Sequence, residues 1–273
     1  MVGTLWIVGT PIGNLGDLPP RARDTLAGVD VIAAEDTRRT GRLLQAAGID
    51  PRPALVSSFE GNERDRAREL VGRLTRGDDV AVVTDGGMPS VSDPGFRIVL
   101  AAIEAGVDVR VVPGPSAALA ALVVSGLPTD RFAFEGFPPR RPAERHARLE
   151  ALRADDRTLV LFESPRRVHA LLRDVVDVMG DRRVALAREL TKLHEEVLRG
   201  RASEVAAVLE TRPPKGEVAL VIEGAPEEAG DLSAALEEAR DLIASGARRR
   251  EAARVAADHH GVGANAVYEA LLS

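Results

Sequence analysis

Short apolar runs recur through the first 125 residues, and each is followed by a segment with helical spacing. Runs at 5–8, 29–34, 79–83 and 107–112 read as strands, and 18–26, 37–47, 63–75, 96–105 and 116–124 read as helices. Strands that are apolar on both faces and alternate with helices pair most naturally in a parallel sheet covered on both sides. The spacing places Asp17 and Asp36 as caps of the first two helices. The fold class expected here is α/β.

The pattern changes after residue 128. Residues 132–135 and 158–162 read as strands around an arginine-rich helix at about 143–153. A helix over 163–179 is expected, capped by Ser164 with Pro165 in its first turn. Strands at 183–188, 194–199 and 217–222, with a short helix at 203–210, then give a mixed sheet. The chain divides into a parallel-sheet domain (1–114), an α+β domain that closes a cleft (115–224), and a small helical domain (232–273), with a polar linker over 224–232. The last domain has helix-turn-helix spacing around Gly261-Val262-Gly263, a shape shared with small capping bundles.

Four loops carry the chemistry: residues 9–14, 35–40, 85–95 and 113–117. Each follows an apolar strand and is rich in Gly, Pro or small polar residues, and all fall at the carboxyl edge of the sheet, where open α/β folds bind ligands. The stretch "DGGMPSVSDPG" is costly to order. Asp85 can accept hydrogen bonds, Gly86 and Gly87 allow close approach, and Pro89 and Pro94 stiffen the loop. Asp93 reads as a turn-forming residue before Pro94. The glycine spacing matches neither a dinucleotide fingerprint nor a P-loop. Carboxylates and glycines in place of clustered cations suit a ligand with ribose hydroxyls or a positive charge, and a sulfonium cofactor has both.

Composition narrows the function. The absence of cysteine excludes disulfides, thiol nucleophiles and cysteine-ligated metals, and no metal site is expected. The apolar start at 1–8 lacks a basic leader, and no run is long enough to span a bilayer, so a cytoplasmic protein without a membrane partner is expected. Net charge is −6, yet arginines cluster at 138–148 and 246–254, as solvated helix faces or as phosphate contacts. Only two of the 36 basic residues are lysines, Lys192 and Lys215.

The motifs "GTPIGNLGDL", "AAEDTRRTGRLL", "VPGPSAALAAL", "LPTDRFAFEGF", "ESPRRV", "ARELTKLHEE" and "KGEVALVIEG", with the Asp-Gly-Gly-Met-Pro…Asp-Pro-Gly loop, run collinearly over about residues 3–224. In that order they resemble the bacterial 16S rRNA (cytidine-2′-O)-methyltransferases of the tetrapyrrole (corrin/porphyrin) methylase superfamily, as does the tail "HGVGANAVYEALL". The family reads Asp-Ala-Gly-Thr-Pro where this chain has Asp85-Gly86-Gly87-Met88-Pro89, and the loop at 57–63 lacks the family's histidines. The resemblance implies a two-domain tetrapyrrole-methylase-like fold with S-adenosyl-L-methionine in the cleft, and a homodimer. It implies cofactor contacts from Pro11, Asp85, Gly87, Ser90, Val91, Ser116, Ala117 and Leu190. The substrate implied is a cytidine ribose of 16S rRNA in the 30S subunit. The rival readings are a small-molecule methyltransferase of the same fold and a non-catalytic, ligand-regulated RNA-binding protein.

A ribose hydroxyl is a weak nucleophile, so a base or a nearby cation is needed. Of the candidates on the cleft rim, Asp36 is occupied as a helix cap and Glu35 is freer. Lys192 offers a compact ammonium, or else a salt bridge with Glu189 or Glu195. Glu35 and Lys192 are therefore the expected catalytic pair. Arg38, Arg39, Arg42, Arg140, Arg141, Arg145, Arg248, Arg249 and Arg250 are the expected RNA contacts. His259 and His260 point in different directions from one helix and read as surface residues.

Overall fold

A computed structural model describes residues 1–50, 52–226 and 231–272. They form two compact units, one of 1–153 with 157–223 and a smaller one of 154–156 with 224–273. In the larger unit, strands β1 (Thr4–Val8), β2 (Val31–Ala34), β3 (Ala54–Ser57), β4 (Val80–Val83) and β5 (Asp108–Val112) make an all-parallel sheet in the order β3-β2-β4-β1-β5. Every residue of β2 and β4 is buried, because helices cover both faces. On one side, α3 (Glu63–Arg76) and α4 (Phe96–Glu104) contribute Leu70, Leu74 and Ile98 to the core. On the other, α1 (Pro20–Gly28) and α2 (Thr37–Ala46) contribute Leu26 and Leu44.

Helix α5 (Ala117–Ser125) follows β5 and packs against a second sheet, with Ala118, Ala121 and Leu122 touching the side of Val160, Ala185 and Ala219. That sheet contains β6 (Phe132–Gly136), β7 (Thr158–Glu163), β8 (Arg183–Arg188), β9 (Glu196–Arg201) and β10 (Val218–Ile222), ordered β6-β7-β10-β8-β9. Only β6 and β7 run parallel, so the sheet is mixed as expected. Its other face is covered by α6 (Pro142–Leu152), α7 (Val168–Met179) and α8 (Ala202–Thr211) around Leu171, Leu172, Val205 and Leu209.

The smaller unit holds α9 (Leu232–Ala244), α10 (Arg249–His260) and α11 (Ala264–Ala270). Its core is mostly alanine: Ala235, Ala239, Ala252, Ala253, Ala256 and Ala257 with Val267. Against the expectation that they point apart, His259 and His260 both reach Glu238 across the α9–α10 pair, at 2.7 and 2.8 Å, because the carboxylate offers each ring one oxygen. Residues 227–230 of the expected linker lie outside the described residues.

Three local expectations need correction. Asp17 lies inside a 3₁₀ turn (Leu15–Asp17) that Asn14 caps, and α1 starts at Pro20. Ser164 does not cap α7: residues 165–167 form a turn first, and the Ser164 hydroxyl accepts from Arg167 instead. Strand β9 begins at Glu196, two residues later than its apolar pattern suggested, because Thr191 to Glu195 form a turn closed by the Glu195 carboxylate on the Thr191 N–H. Strand β3 has no counterpart among the expected strands. It lies at the sheet edge and none of its residues is fully buried, so it lacks an apolar signature.

The loops at the carboxyl edge of the first sheet are knitted backbone to backbone. Thr10 and Gly87 exchange N–H···O bonds of 2.9 and 3.0 Å. Gly9 and Gly114 approach so closely that a Cβ on Gly114 would stand 2.8 Å from Gly9 backbone atoms. Gly114→Ala is therefore expected to lower stability by about 1–3 kcal/mol through overpacking. Gly28→Ala, whose new methyl meets nothing within 4 Å, is expected to leave stability unchanged or raise it by up to about 1 kcal/mol. Urea unfolding midpoints of the two variants check both signs.

Candidate active site

A cavity of about 410 Å³ lies between the two sheets of the larger unit. From the first sheet it is lined by Ile12, Glu35, Thr84, Asp85 and Asp93, and from the second by Phe162, Leu190, Gly216 and Glu217, among others. The carboxyl ends of β1, β2 and β4 deliver one wall, as an open parallel sheet requires.

Carboxylates dominate this wall. The Thr84 hydroxyl donates to Glu35 Oε2 at 2.6 Å, and the Asp85 N–H donates to the same oxygen at 3.2 Å. Asp85 accepts from the Asp36 N–H and pairs with Arg39 at 3.2 Å. Burial raises the Asp85 carboxyl above its usual range, and repulsion from Glu35 adds to this against the pull of Arg39. Asp93 is pushed up to about 6, first by burial and then by Glu35 and Asp85, despite a hydrogen bond from Thr84. Asp93 is thus a member of the cavity wall rather than only a turn former. Asp36 caps α2 through the N–H groups of Arg38 and Arg39, as expected, and these bonds hold its carboxyl low.

The loop carrying Asp85 and Asp93 is anchored from beneath. Glu63, buried at the start of α3, accepts from the N–H groups of Gly95 and Arg97, both at 2.9 Å, and so holds the N-terminus of α4. On the opposite wall the Glu163 side chain is fully buried, paired with Arg167, and accepts the Ser164 N–H; its Oε2 has no partner among the described residues.

Of the expected cofactor contacts, Asp85, Ala117 and Leu190 line the cavity, and so do Glu35 and Arg39. The others serve its frame. Pro11 presents its carbonyl to Gly86, Gly87 has φ +100° and pairs with Thr10, and Ser116 caps α5 by accepting from Leu119. Ser90, at φ 73°, and Val91 sit on the outer turn of the loop, where Ser90 N–H bonds Pro94 O and Val91 N–H bonds Met88 O. Their neighbours Ser92 and Asp93 face inward instead.

Lys192 lies outside the lining. Its ammonium bonds Glu189 at 2.9 Å and the lining residue Glu217 at 3.1 Å, while its stem crosses Gly13, where a Cβ would stand 2.5 Å from Lys192 Cγ. Burial works against its charge, but the hydrogen bonds it donates to Glu189 and Glu217 outweigh burial and hold the amine above its ordinary pKa. Its ammonium is thus tied to two carboxylates, which favours the charged form.

The expected RNA arginines separate sharply. Arg145 is buried and bound to Asp174, so it cannot reach a phosphate. Arg38, Arg42, Arg140, Arg248 and Arg249 are exposed, Arg141 pairs with Glu144, and Arg250 lies over the Tyr268 ring. The sequence reading missed Thr84, Phe137 and Gly216 as lining residues, although "KGEV" already marked the last. No group of three or more His, Cys, Asp or Glu side chains suited to a metal occurs among the described residues. The wall fits a cationic ligand: once Glu163 and Glu217 are paired, Glu35, Asp85 and Asp93 face one guanidinium, Arg39.

Comparison with known proteins agrees with this fold. Residues 4–206 match the family model for tetrapyrrole (corrin/porphyrin) methylases. Ribosomal RNA small subunit methyltransferase I of Micromonospora olivasterospora is 47% identical, covering 98% of this chain and 86% of its own length. The protein of that name from Escherichia coli O157:H7 is 43% identical over 98% of this chain and 94% of its own. The crystal structure of uroporphyrin-III-C-methyltransferase from Thermus thermophilus superposes with a TM-score of 0.59 at 24% identity, covering 81% of this chain and 94% of that one, and shows the shared fold. The chain therefore belongs to the tetrapyrrole methylase family, grouping within it with the proteins named ribosomal RNA small subunit methyltransferase I, and it is a methyltransferase.

Proposed function

We propose that this protein transfers a methyl group from S-adenosyl-L-methionine to the 2′-oxygen of a cytidine ribose in 16S rRNA, acting on the small ribosomal subunit. The observation that carries the reading is the cluster of Glu35, Asp85 and Asp93 around Thr84 in a cavity between two sheets. When bound, S-adenosyl-L-methionine supplies a methyl carbon already activated by a sulfonium. The protein must bring the ribose oxygen into line, exclude water and take a proton.

The base assignment moves from Glu35 to Asp93. Glu35 is committed to the Thr84 hydroxyl and the Asp85 N–H, so it holds the wall in place. Asp93, at about 6, is ionised at neutral pH yet basic enough to accept the ribose proton as the oxygen–carbon bond forms and the carbon–sulfur bond breaks. Asp85 and Glu35 provide the negative wall for the sulfonium and the hydroxyl groups of its nucleoside. Lys192 acts through Glu217, which makes it a positioning residue. The exposed Arg38, Arg42 and Arg140 would hold RNA phosphates from the larger unit, and Arg248 and Arg249 from the smaller, while Arg39 is paired with Asp85.

The homodimer is also part of this proposal. Phe96, Leu100 and Ile103 form an exposed apolar stripe at helical spacing on α4, and Leu119 and Val123 form another on α5. A second copy of the chain is the partner that would cover them. The double substitution Phe96→Asp, Ile103→Asp is expected to convert a sedimenting dimer into a monomer. A wild-type chain that sediments as a monomer removes the pairing.

Labelled methyl transfer to purified 30S subunits tests the function, and its absence despite cofactor binding would favour a ligand-regulated binding protein. In that assay Asp93→Asn is expected to lower turnover about 10²–10⁴-fold. The rise of wild-type kcat/KM with pH, centred near 6, should vanish in this variant. The sign for stability is the reverse. A carboxyl whose folded pKa is raised binds protons more tightly in the folded state, so wild-type stability falls as pH rises from about 4 to 6. Asp93→Asn should therefore be the more stable protein at pH 8 and equal to wild type near pH 3. Glu35→Gln is expected to weaken cofactor binding more than it slows turnover. Full turnover by Asp93→Asn would return the proton to Glu35.

A further inference from the structure

A second, smaller cavity of about 220 Å³ opens on the face of the second sheet opposite the α5 side, at the edge formed by β8 and β9. Arg188, Arg212 and Lys215 line it with a single carboxylate, Glu196. Arg188 Nε and Arg212 Nη2 each bond one oxygen of Glu196 at 2.7 Å. Lys215 is exposed and has no ion pair among the described residues. Three cations against one carboxylate leave a surplus of two positive charges. Each guanidinium has five N–H donors, and Glu196 occupies only part of either set.

The segment that walls this cavity is the one that borders the main cavity. Arg212, Pro213, Pro214 and Lys215 line the smaller space, and the next two residues, Gly216 and Glu217, line the larger. Neighbouring Cα atoms stand only about 3.8 Å apart. The loop is held stiffly. Two prolines restrict it, Gly216 has φ +84°, and a Cβ on Gly216 would coincide with the Glu189 carboxylate that accepts the Glu217 N–H at 3.1 Å. A cationic pocket fixed on the lip of the catalytic cavity is preorganised for an anion that arrives with the substrate.

We infer that Arg188, Arg212 and Lys215 form a binding site for one backbone phosphate of the RNA strand whose ribose enters the main cavity. The inference rests on the proposed RNA substrate. Glu196 acts in it as a template that keeps the two guanidinium groups side by side while their outward donors and the Lys215 ammonium meet the phosphodiester. The site adds affinity and register without reading a base.

The test compares the full-length wild type with the double variant Arg212→Gln, Lys215→Gln and with the charge-preserving Arg212→Lys, Lys215→Arg. Calorimetry with S-adenosyl-L-methionine is expected to give the same affinity for all three. With 30S subunits, the neutralised variant should show KM raised about tenfold and kcat unchanged, and the charge-preserving variant should stay near wild type. The slope of log affinity against log salt should fall by roughly 0.7–0.9, the signature of one lost phosphate contact. An unchanged KM and salt slope in the neutralised variant overturns the site, as does a fall in kcat with KM unchanged. A wild-type enzyme that binds cofactor but methylates no subunit overturns the parent reading and this site with it, and that outcome is seen without either variant.

Discussion

The close approach of main chains at the rim of the first sheet is the constraint on which the site depends. Gly9 against Gly114, and Thr10 paired with Gly87, tie the segments after β1, β4 and β5 into one rigid ledge. No side chain could be inserted between Gly9 and Gly114 without pushing the backbones apart. The glycines here therefore serve chain-to-chain contact first, and the room for a ligand follows from the ledge they create. Glu63 completes it from below, because its carboxylate satisfies two N–H groups at the start of α4 and so fixes where the Asp85–Asp93 loop ends.

Electrostatics on this ledge is deliberately unbalanced. Three carboxylates gather beside Thr84, and among the described residues Arg39 is the cation that pairs with one of them, Asp85. Such an arrangement is costly, since burial and repulsion between carboxylates both raise the carboxyl pKa values of Asp85 and Asp93. A cationic ligand relieves it. The opposite wall is neutralised internally, with Glu163 held by Arg167 and Glu217 by Lys192, so the imbalance is confined to the side that the parallel sheet supplies.

Much of this was legible in the residues. Apolar runs ending in Gly, Pro and Asp placed the rim loops, and the motif series placed the two sheets in order. What stayed hidden depended on partners distant in sequence. Asp93 before proline looks like a turn residue until Glu35, 58 positions earlier, is found beside it. Glu63 carries no local sign that it caps a helix more than 30 residues later. Arg145 belongs to an exposed-looking cluster, yet the helical phase turns it inward to Asp174, which lies on the next helix. Lys192 stands out in the sequence for its rarity, but only the fold shows that its charge is shared between Glu189 and Glu217.

That rarity has a practical side. The chain has two ε-amino groups, on Lys192 and Lys215. One is bonded to Glu217 and the other stands two residues before it, so both report on the same short loop. An acylating or isotope-labelled methylating reagent directed at amines would mark Lys215 on that loop and Lys192 on the turn bonded to it and, apart from the α-amino group, no other amine of this sequence. The scarcity of lysine thus turns the lip between the two cavities into a self-contained spectroscopic handle.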